Sequence, residues 1–133
     1  MVGAAKEIRI EVEVNDDVTT LIARLTSFLR ERGIGAAPST RVLTVASELG
    51  TNLVKYARGG AVTFCLDPNA QGMLLVSSDR GPGIADTAAA LRDHHSTSGT
   101  LGLGLNCVKR MSDRFQIRSR IEEGTAITSF IAP

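Results

Sequence analysis

Aromatic residues are scarce in this sequence, which has no tryptophan, one tyrosine and four phenylalanines. This scarcity argues against a surface on which nucleic acid bases stack. Neither sign of charge dominates, since 15 lysine and arginine residues face 14 aspartate and glutamate residues, and the net charge is +1. No block of basic residues interrupts this balance, so binding to nucleic acid or to anionic lipid is not expected.

Long apolar runs are also missing, and none approaches the roughly 20 residues that span a membrane. The N-terminus has no signal-peptide pattern. The two cysteines, Cys65 and Cys107, lack metal-ligand spacing and lie in apolar stretches, which is typical of buried free thiols in a reducing compartment. These absences predict a cytoplasmic protein, and the length of 133 residues predicts one domain, residues 1–133.

Hydrophobic periodicity divides the chain into elements in the order β-α-α-β-β-loop-α-β-β. This order holds too few βαβ units for a doubly wound parallel sheet. The expected fold class is therefore α+β, a two-layer sandwich in which about three helices cover one face of a mixed, mainly antiparallel sheet. The predicted strands are residues 6–14, 61–66, 73–78, 114–120 and 125–131, and the predicted helices are residues 17–32, 38–57 and 103–111. Within the loop, residues 87–91 could form a short helix.

The ends of the first predicted helix carry specific expectations. Asn15 or Asp16 is expected to cap its N-terminus, because a short polar side chain can accept a hydrogen bond from a free backbone N–H group there. Gly33 and Gly35 are expected to end it, because glycine readily adopts the left-handed conformation that follows many helices.

Three polar or glycine-containing segments stand out between the apolar stretches. They are S-E-L-G-T-N at residues 47–52, S-D-R-G-P-G-I at residues 78–84 and S-T-S-G-T-L-G-L-G-L at residues 96–105. Each segment alone is a weak signal. Their order and spacing together indicate a nucleotide site built in three pieces.

The middle segment offers a site for a flat base. Asp79 ends a predicted strand and is followed by Gly81 and Gly83. A carboxylate there can accept a hydrogen bond from the exocyclic amino group of adenine, and glycines let the backbone approach a flat ring. The alternative is an ordinary turn at a strand end, where aspartate, glycine and proline are all common.

The first segment places a carboxylate and an amide one helical turn apart. Glu48 and Asn52 share a flank of the second helix, beside its apolar stripe. The amide oxygen of asparagine suits Mg²⁺, which prefers few protein ligands together with phosphate and water. Glu48 could accept a proton from an attacking hydroxyl group or water molecule. A solvated helix flank is the alternative.

The third segment offers a site for a polyphosphate. Gly99, Gly102 and Gly104 leave backbone N–H groups open, and the positive N-terminal end of a helix follows them. The pattern is neither a Walker A loop nor a dinucleotide fingerprint, and a flexible loop is the alternative. His94 and His95 in the same stretch lack the partners of a metal site and are interpreted as an exposed pair.

The three segments resemble the N, G1 and G2 boxes of the Bergerat-fold (GHKL) ATPases. The likeness rests on Glu48 and Asn52 in one helix, on D-x-G-x-G at residues 79–83 and on G-x-G at residues 102–104. For the superfamily the resemblance implies the Bergerat ATP-binding fold and bound ATP.

Two longer stretches, residues 47–57 and 96–113, resemble the anti-sigma-factor serine/threonine kinases, and among these the RsbT-type stressosome switch kinases. The resemblance extends over about residues 8–131 and includes the order of the boxes and the length of the loops. Within residues 1–133, no helix pair that carries a phospho-accepting histidine is expected. This departure from histidine kinases favours transfer to a separate protein.

The resemblance implies a role for each matching position. Glu48 would be the catalytic base toward a protein hydroxyl group, and Asn52 would hold Mg²⁺ against the phosphates of ATP. Asp79 would bind the adenine amino group with support from Thr125, and residues 86–101 would form the ATP lid. The implied nucleotide-binding residues are Asn52, Asp79, Gly81, Gly83, Ile84, Ser98, Gly99, Thr100, Leu101, Gly102, Leu103, Gly104 and Thr125.

Two functions follow as expectations. The first is an ATP- and Mg²⁺-dependent serine/threonine protein kinase that phosphorylates a STAS-domain (anti-sigma-antagonist) partner in a partner-switching pathway. A downstream phosphatase or sigma-factor regulator is a further candidate partner. The alternative is a nucleotide-gated module, an anti-sigma-type switch, that binds a regulator with little or no kinase activity. A domain without any ligand would require all three segments to be coincidental.

Overall fold

A computed structural model of the protein describes residues 6–69, 71–91 and 101–133. For residues 101–103 it describes the backbone only, and from residue 104 onward it describes the side chains as well. The order of elements is the order predicted from periodicity. The elements are β1 (Ile8–Val12), α1 (Asn15–Glu31), α2 (Ala36–Tyr56), β2 (Gly60–Leu66), β3 (Met73–Asp79), α3 (Thr87–Ala90), α4 (Leu101–Met111), β4 (Arg114–Arg120) and β5 (Gly124–Ile131).

The five strands form one sheet in the order β1-β2-β3-β5-β4. All four pairings between these strands are antiparallel, which confirms the expected α+β class and its mainly antiparallel sheet. Between β3 and β4 the chain leaves the sheet and forms α3 and α4. The last strand, β5, pairs with both β3 and β4 and therefore lies between them. The register pairs Ser78 with Ala126 and thereby brings the end of β3 beside the start of β5.

The core lies between the sheet and the helices. Alternate residues of the strands face the helices and are buried, as the period of two in a strand requires. The ring of Phe64 meets that of Phe28 from α1 edge to face, with centroids 5.3 Å apart. Burying a side chain of this kind stabilises the fold by roughly 1.5–3 kcal/mol. The fully buried larger side chains include Val12, Leu21, Leu25, Val42, Val45, Leu49, Val62, Phe64, Leu75 and Leu105.

The N-terminus of α1 differs from the prediction. Asn15 and Asp16 lie inside the helix, Val14 occupies the cap position, and no side chain at that position makes a cap hydrogen bond. Instead the carboxylate of Asp17 accepts hydrogen bonds from the backbone N–H groups of Glu13, at 2.8 Å, and Val14, at 3.1 Å. These two bonds lower the pKa of Asp17. The expected cap was therefore wrong: the polar side chain that bonds the backbone at this end is that of Asp17, which lies inside the helix and reaches back to the N–H groups of Val14 and of the residue before it.

The junction between α1 and α2 is tighter than predicted. Gly33 has the expected left-handed conformation, with φ of 67°. Gly35 does not, since its φ is −64° and it precedes the first residue of α2. The helix begins at Ala36, two residues before Pro38, because proline is tolerated in a first turn, where its missing N–H group has no helical acceptor.

The cysteines and the apolar segments agree in part with expectation. Cys65 and Cys107 are free thiols, but both are half-buried and not fully buried as predicted. Cys65 alternates with the buried Phe64 and therefore lies on the face of the sheet away from the helices. Among the described residues, no helix combines the length and the hydropathy that crossing a membrane requires.

Candidate nucleotide site

A cavity of about 190 Å³ lies between α2 and the sheet, at the end of β3. One water molecule occupies about 30 Å³ in the liquid, so the cavity can admit a group much larger than water. Asn52 from the first segment and Asp79 from the second both line it. Its apolar wall consists of Leu49, Leu53, Ala57, Pro82, Ile84, Leu105 and Ile127. An apolar wall with few polar groups is typical of a site for a flat ring.

The carboxylate of Asp79 is held in one orientation by the backbone. Its Oδ1 accepts hydrogen bonds from the N–H group of Gly81, at 2.8 Å, and from that of Thr125, at 3.3 Å. Within the part of the chain that the structure describes, no donor is hydrogen-bonded to Oδ2. The second oxygen is therefore available to accept a hydrogen bond from a ligand in the cavity.

The glycines after Asp79 sit where a side chain would not fit. A Cβ atom built on Gly81 would lie 2.9 Å from Cα of Ala57 in the turn after α2. Gly83 has φ of 76°, and its Cβ atom would overlap the backbone carbonyl group of Arg120. The turn is thus packed between the end of α2 and the end of β4, which fixes it as one wall of the cavity.

Replacing Gly83 with alanine is expected to destabilise the fold by about 2–4 kcal/mol, since the left-handed backbone and the overlap with Arg120 both oppose a Cβ atom. The melting temperature should fall by roughly 5–15 °C, which calorimetry measures. Gly33→Ala is the matched control, because Gly33 has φ of 67° and nothing within 4 Å of a built Cβ atom. An equal loss of stability in the two variants would contradict the packing of this turn.

Ser119, which the residue patterns did not indicate, connects the turn to β5. Its Oγ accepts a hydrogen bond from the N–H group of Ile84 at 2.7 Å, lies 2.7 Å from Oγ1 of Thr125 and donates to the carbonyl oxygen of Gly124 at 3.1 Å. The sequence does contain one signal for this residue: a serine stands at a helix-facing position of β4, between neighbours that are exposed. Ser119 thus positions two predicted nucleotide-binding residues, Ile84 and Thr125.

At the other end of the site, α4 approaches α2 closely. A Cβ atom built on Gly104 would lie 2.9 Å from Oε2 of Glu48 and 3.3 Å from Oδ1 of Asn52. The two side chains therefore lie side by side next to the backbone of Gly104. Both are half-buried, as the flank position predicted. The absence of a side chain on Gly104 leaves room in front of both polar groups.

The amide of Asn52 shows a further sign of a ligand. Its Nδ2 is buried and has no hydrogen-bond partner among the described residues. A buried donor without a partner costs about 1–3 kcal/mol, so such groups usually meet a ligand or a water molecule. The amide has a donor and an oxygen acceptor in the same place, which fits a phosphate oxygen and a cation together.

The donor set also fits Mg²⁺. The described residues contain no group of three or more histidine, cysteine, aspartate or glutamate side chains that could hold a metal ion. Mg²⁺ does not require such a group, because it is commonly bound by one or two protein oxygens plus phosphate and water.

Burial raises the pKa of the Cys107 thiol, and the carboxylate of Glu48 raises it further. Cys107 is therefore a neutral neighbour of the site and not an anionic one.

The structure brings most of the predicted site residues around this one region, although their roles stay predictions. Leu101, Gly102 and Leu103 belong to the backbone of the first turn of α4, which begins two residues before the predicted start. Of the predicted lid, residues 86–91 hold α3, whose N-terminus is capped by a hydrogen bond from Ala89 N–H to Asp86. Predicted residues outside the described ranges are His94, His95, Ser98, Gly99 and Thr100.

Comparison with known proteins defines the class to which this fold and site belong. Residues 10–130 match the model of the histidine kinase-like ATPase domain, and the chain belongs to that family. It is 39% identical over 100 residues to the serine/threonine-protein kinase RsbT of Bacillus subtilis (strain 168), with 74% of this chain and 75% of the relative covered. The expected membership of the Bergerat-fold superfamily, and within it of the RsbT-type serine/threonine-protein kinases, is confirmed.

Proposed function

We propose that this kinase uses ATP and Mg²⁺ to phosphorylate a serine or threonine of a STAS-domain partner in a partner-switching pathway. The observation that carries the proposal is the geometry of the cavity. Asp79 and Asn52 line it together, and Glu48 lies beside Asn52. Membership of the family supports the binding of ATP as the nucleotide. We further propose that residues 1–133 form one kinase domain and that it acts in the cytoplasm.

Adenine is assigned to the end of the cavity at Asp79. Oδ2 of Asp79 accepts a hydrogen bond from the exocyclic amino group, while Oδ1 stays bonded to the backbone N–H groups of Gly81 and Thr125. Gly83 and Ile84 form the adjoining wall. The ring would displace water from an apolar surface, and the carboxylate would select an amino group over a carbonyl group at that edge of the base.

The phosphates are assigned to the N-terminal end of α4. Backbone N–H groups of a helix N-terminus have no helical acceptor and attract an anion. Asn52 would hold Mg²⁺ through Oδ1, and the ion, when bound, neutralises phosphate charge. The residues assigned to the phosphate end are Asn52, Ser98, Gly99, Thr100, Leu101, Gly102, Leu103 and Gly104.

Glu48 is assigned as the base for the transfer step. The hydroxyl oxygen of the partner forms a bond to the γ-phosphorus, and the bond from that phosphorus to the β–γ bridging oxygen breaks, which releases ADP. The hydroxyl proton passes to the carboxylate of Glu48. Because such transfer depends mainly on position and charge neutralisation, one aligned carboxylate beside the phosphates is sufficient protein chemistry.

The proposal is tested by incubating the protein with a purified STAS-domain partner and γ-labelled ATP. With Mg²⁺ present, label should appear on a serine or threonine of the partner, and chelation of the metal should reduce it to background. ATP binding is measured in parallel by calorimetry. A partner that binds in an ATP-dependent manner but receives no label would contradict the kinase proposal and favour the nucleotide-gated binding module.

A further inference from the structure

A second cavity adjoins the nucleotide cavity and has the opposite character. Its volume is about 660 Å³, and three cationic residues in the described part of the chain line it, Lys55, Arg58 and Arg80. We call it the basic groove. It shares Tyr56, Ala57 and Pro82 with the nucleotide cavity, so the end of α2 and the glycine turn separate the two. No acidic residue is among the described residues that line it.

The three cations of the basic groove are not neutralised by the described part of the protein. All three are exposed, and none has an ion pair or side-chain hydrogen bond to a described residue. Other arginines do pair with acids: Arg9 lies 2.7 Å from Glu11, and Arg41 lies 3.4 Å from Asp113. The basic groove is therefore a local region of positive electrostatic potential on a chain whose net charge is only +1.

The backbone at Arg58 adds a second observation. Arg58 follows the end of α2 with φ of 59°, and the next N–H group, that of Gly59, returns to the carbonyl oxygen of Leu53 at 2.9 Å. This is a helix C-terminus of the kind that favours glycine at the left-handed position. An arginine there adopts a conformation that is costly for a residue with a Cβ atom. Its side chain supplies one of the three cations of the groove.

Stabilisation of α2 explains the positions of only two of the three cations in the basic groove. Lys55 and Arg58 lie at the C-terminus of α2, where positive charge offsets the helix dipole. Arg80 follows β3 and is not part of that helix. The convergence of Arg80 with the other two on one cavity points to a negatively charged ligand.

We propose that the basic groove binds an acidic segment, rich in aspartate and glutamate, of the protein that the kinase phosphorylates. This inference rests on the proposed function and specifies how the substrate is held. Single carboxylates spaced along a peptide match three separate cations. A compact phosphate group is disfavoured, because the groove lies at a helix C-terminus and lacks the converging backbone N–H groups with which a helix N-terminus usually surrounds a phosphate. A balanced net charge and scarce aromatic residues disfavour nucleic acid.

The position of the basic groove suits a docking site away from the reacting atoms. Along α2, Lys55 lies seven residues after Glu48, which at 1.5 Å per residue is roughly 10 Å, and Arg58 lies just beyond the end of the same helix. An extended chain covers that distance in about three residues. A partner could therefore hold an acidic segment in the groove while its hydroxyl group lies at Glu48.

The first test measures direct binding of a fluorescein-labelled twelve-residue peptide of alternating glutamate and serine by fluorescence polarisation at low salt. The native protein should bind it, and the double variant Lys55→Glu/Arg80→Glu should bind at least about tenfold more weakly, because reversed charges repel the peptide. The control is Arg24→Glu/Arg30→Glu on the exposed surface of α1, which should bind like the native protein. Absence of binding to the native protein, or an equal loss in the control, would overturn the proposal. So would tighter binding of a twelve-base-pair DNA duplex.

Arg58→Gly separates binding from stability. Glycine removes both the conformational cost and the charge, so the melting temperature should rise by roughly 2–6 °C while peptide affinity falls about twofold to fivefold. A purely structural arginine would change the melting temperature and leave peptide affinity unchanged. That result would overturn the role of Arg58 in binding the acidic peptide.

Kinetics distinguish failure of the docking site from failure of the proposed function. In the labelled-ATP assay, Lys55→Glu/Arg80→Glu should raise KM for the protein substrate about tenfold while kcat and ATP affinity stay unchanged. Transfer by the native protein with an unaltered KM in the variant would overturn the docking site and leave the kinase intact. Absence of transfer by the native protein would overturn the kinase, and the substrate docking site with it.

Discussion

Replacement of Glu48 with glutamine should lower the rate of phosphoryl transfer to the partner by about 10²–10⁴-fold, the usual contribution of a positioned base. Glutamine keeps the size of the side chain but cannot take the hydroxyl proton at neutral pH. Affinity for ATP should change little, since Glu48 is not among the described residues that line the nucleotide cavity. Single-turnover transfer and calorimetric ATP binding measure the two effects separately.

The matched control for this variant is Glu31→Gln, at the exposed end of α1, which should transfer phosphate at the native rate. If Glu48→Gln retained full transfer, the base would have to be another group. If the variant lost ATP binding together with transfer, Glu48 would contribute to holding the nucleotide, and its assignment as a proton acceptor would be wrong.

Asp79→Asn is expected to weaken ATP binding by about 10- to 150-fold, which corresponds to roughly 1.5–3 kcal/mol for a hydrogen bond to a charged group. The amide oxygen can still accept from the backbone N–H groups of Gly81 and Thr125, as Oδ1 does now. The amide NH₂ group then replaces Oδ2 and faces the adenine amino group, so that two donors meet. Calorimetric titration of each protein with ATP and Mg²⁺ gives the ratio of affinities.

Inosine triphosphate tests the same contact in reverse, because its base carries a carbonyl oxygen where adenine carries the amino group. The native protein should prefer ATP, and Asp79→Asn should reduce or reverse that preference, since an NH₂ group can donate to the carbonyl oxygen. Asp16→Asn, on the exposed surface of α1, is the control. An unchanged preference in Asp79→Asn would mean that Asp79 does not contact that edge of the base.

Much of the fold was predictable because hydrophobic periodicity carries it. Alternation over β1 and the apolar stripe of α2 both depend on which faces are buried, and the burial of apolar surface drives folding more strongly than any other interaction. The ends of the helices were less predictable. Val14, Asp17 and Gly35 show why. The cap positions are occupied by Val14 and Gly35, which make no side-chain cap hydrogen bond, while Asp17 bonds backbone N–H groups that precede the helix. Such alternatives differ little in energy, and the sequence does not rank them.

The candidate site was predictable where it is local in the chain and less so where it depends on register. Glu48 and Asn52 are one helical turn apart, so the helix period alone places them together. The contact of Asp79 with Thr125 spans 46 residues, and residue patterns alone did not suggest it. Ser119 was missed because its role requires β4 to pair with β5 at one particular register.

The interior position of β5, between β3 and the edge strand β4, bears on how the protein is made. Translation releases β3 long before β5, yet β5 must insert between β3 and β4, and its Thr125 supplies one of the two N–H groups that orient Asp79. A nascent chain that has not yet released β5 from the ribosome therefore lacks a finished adenine pocket. Cellular ATP should consequently act as a folding ligand only after synthesis has passed this strand, by stabilising the assembled sheet over its precursors.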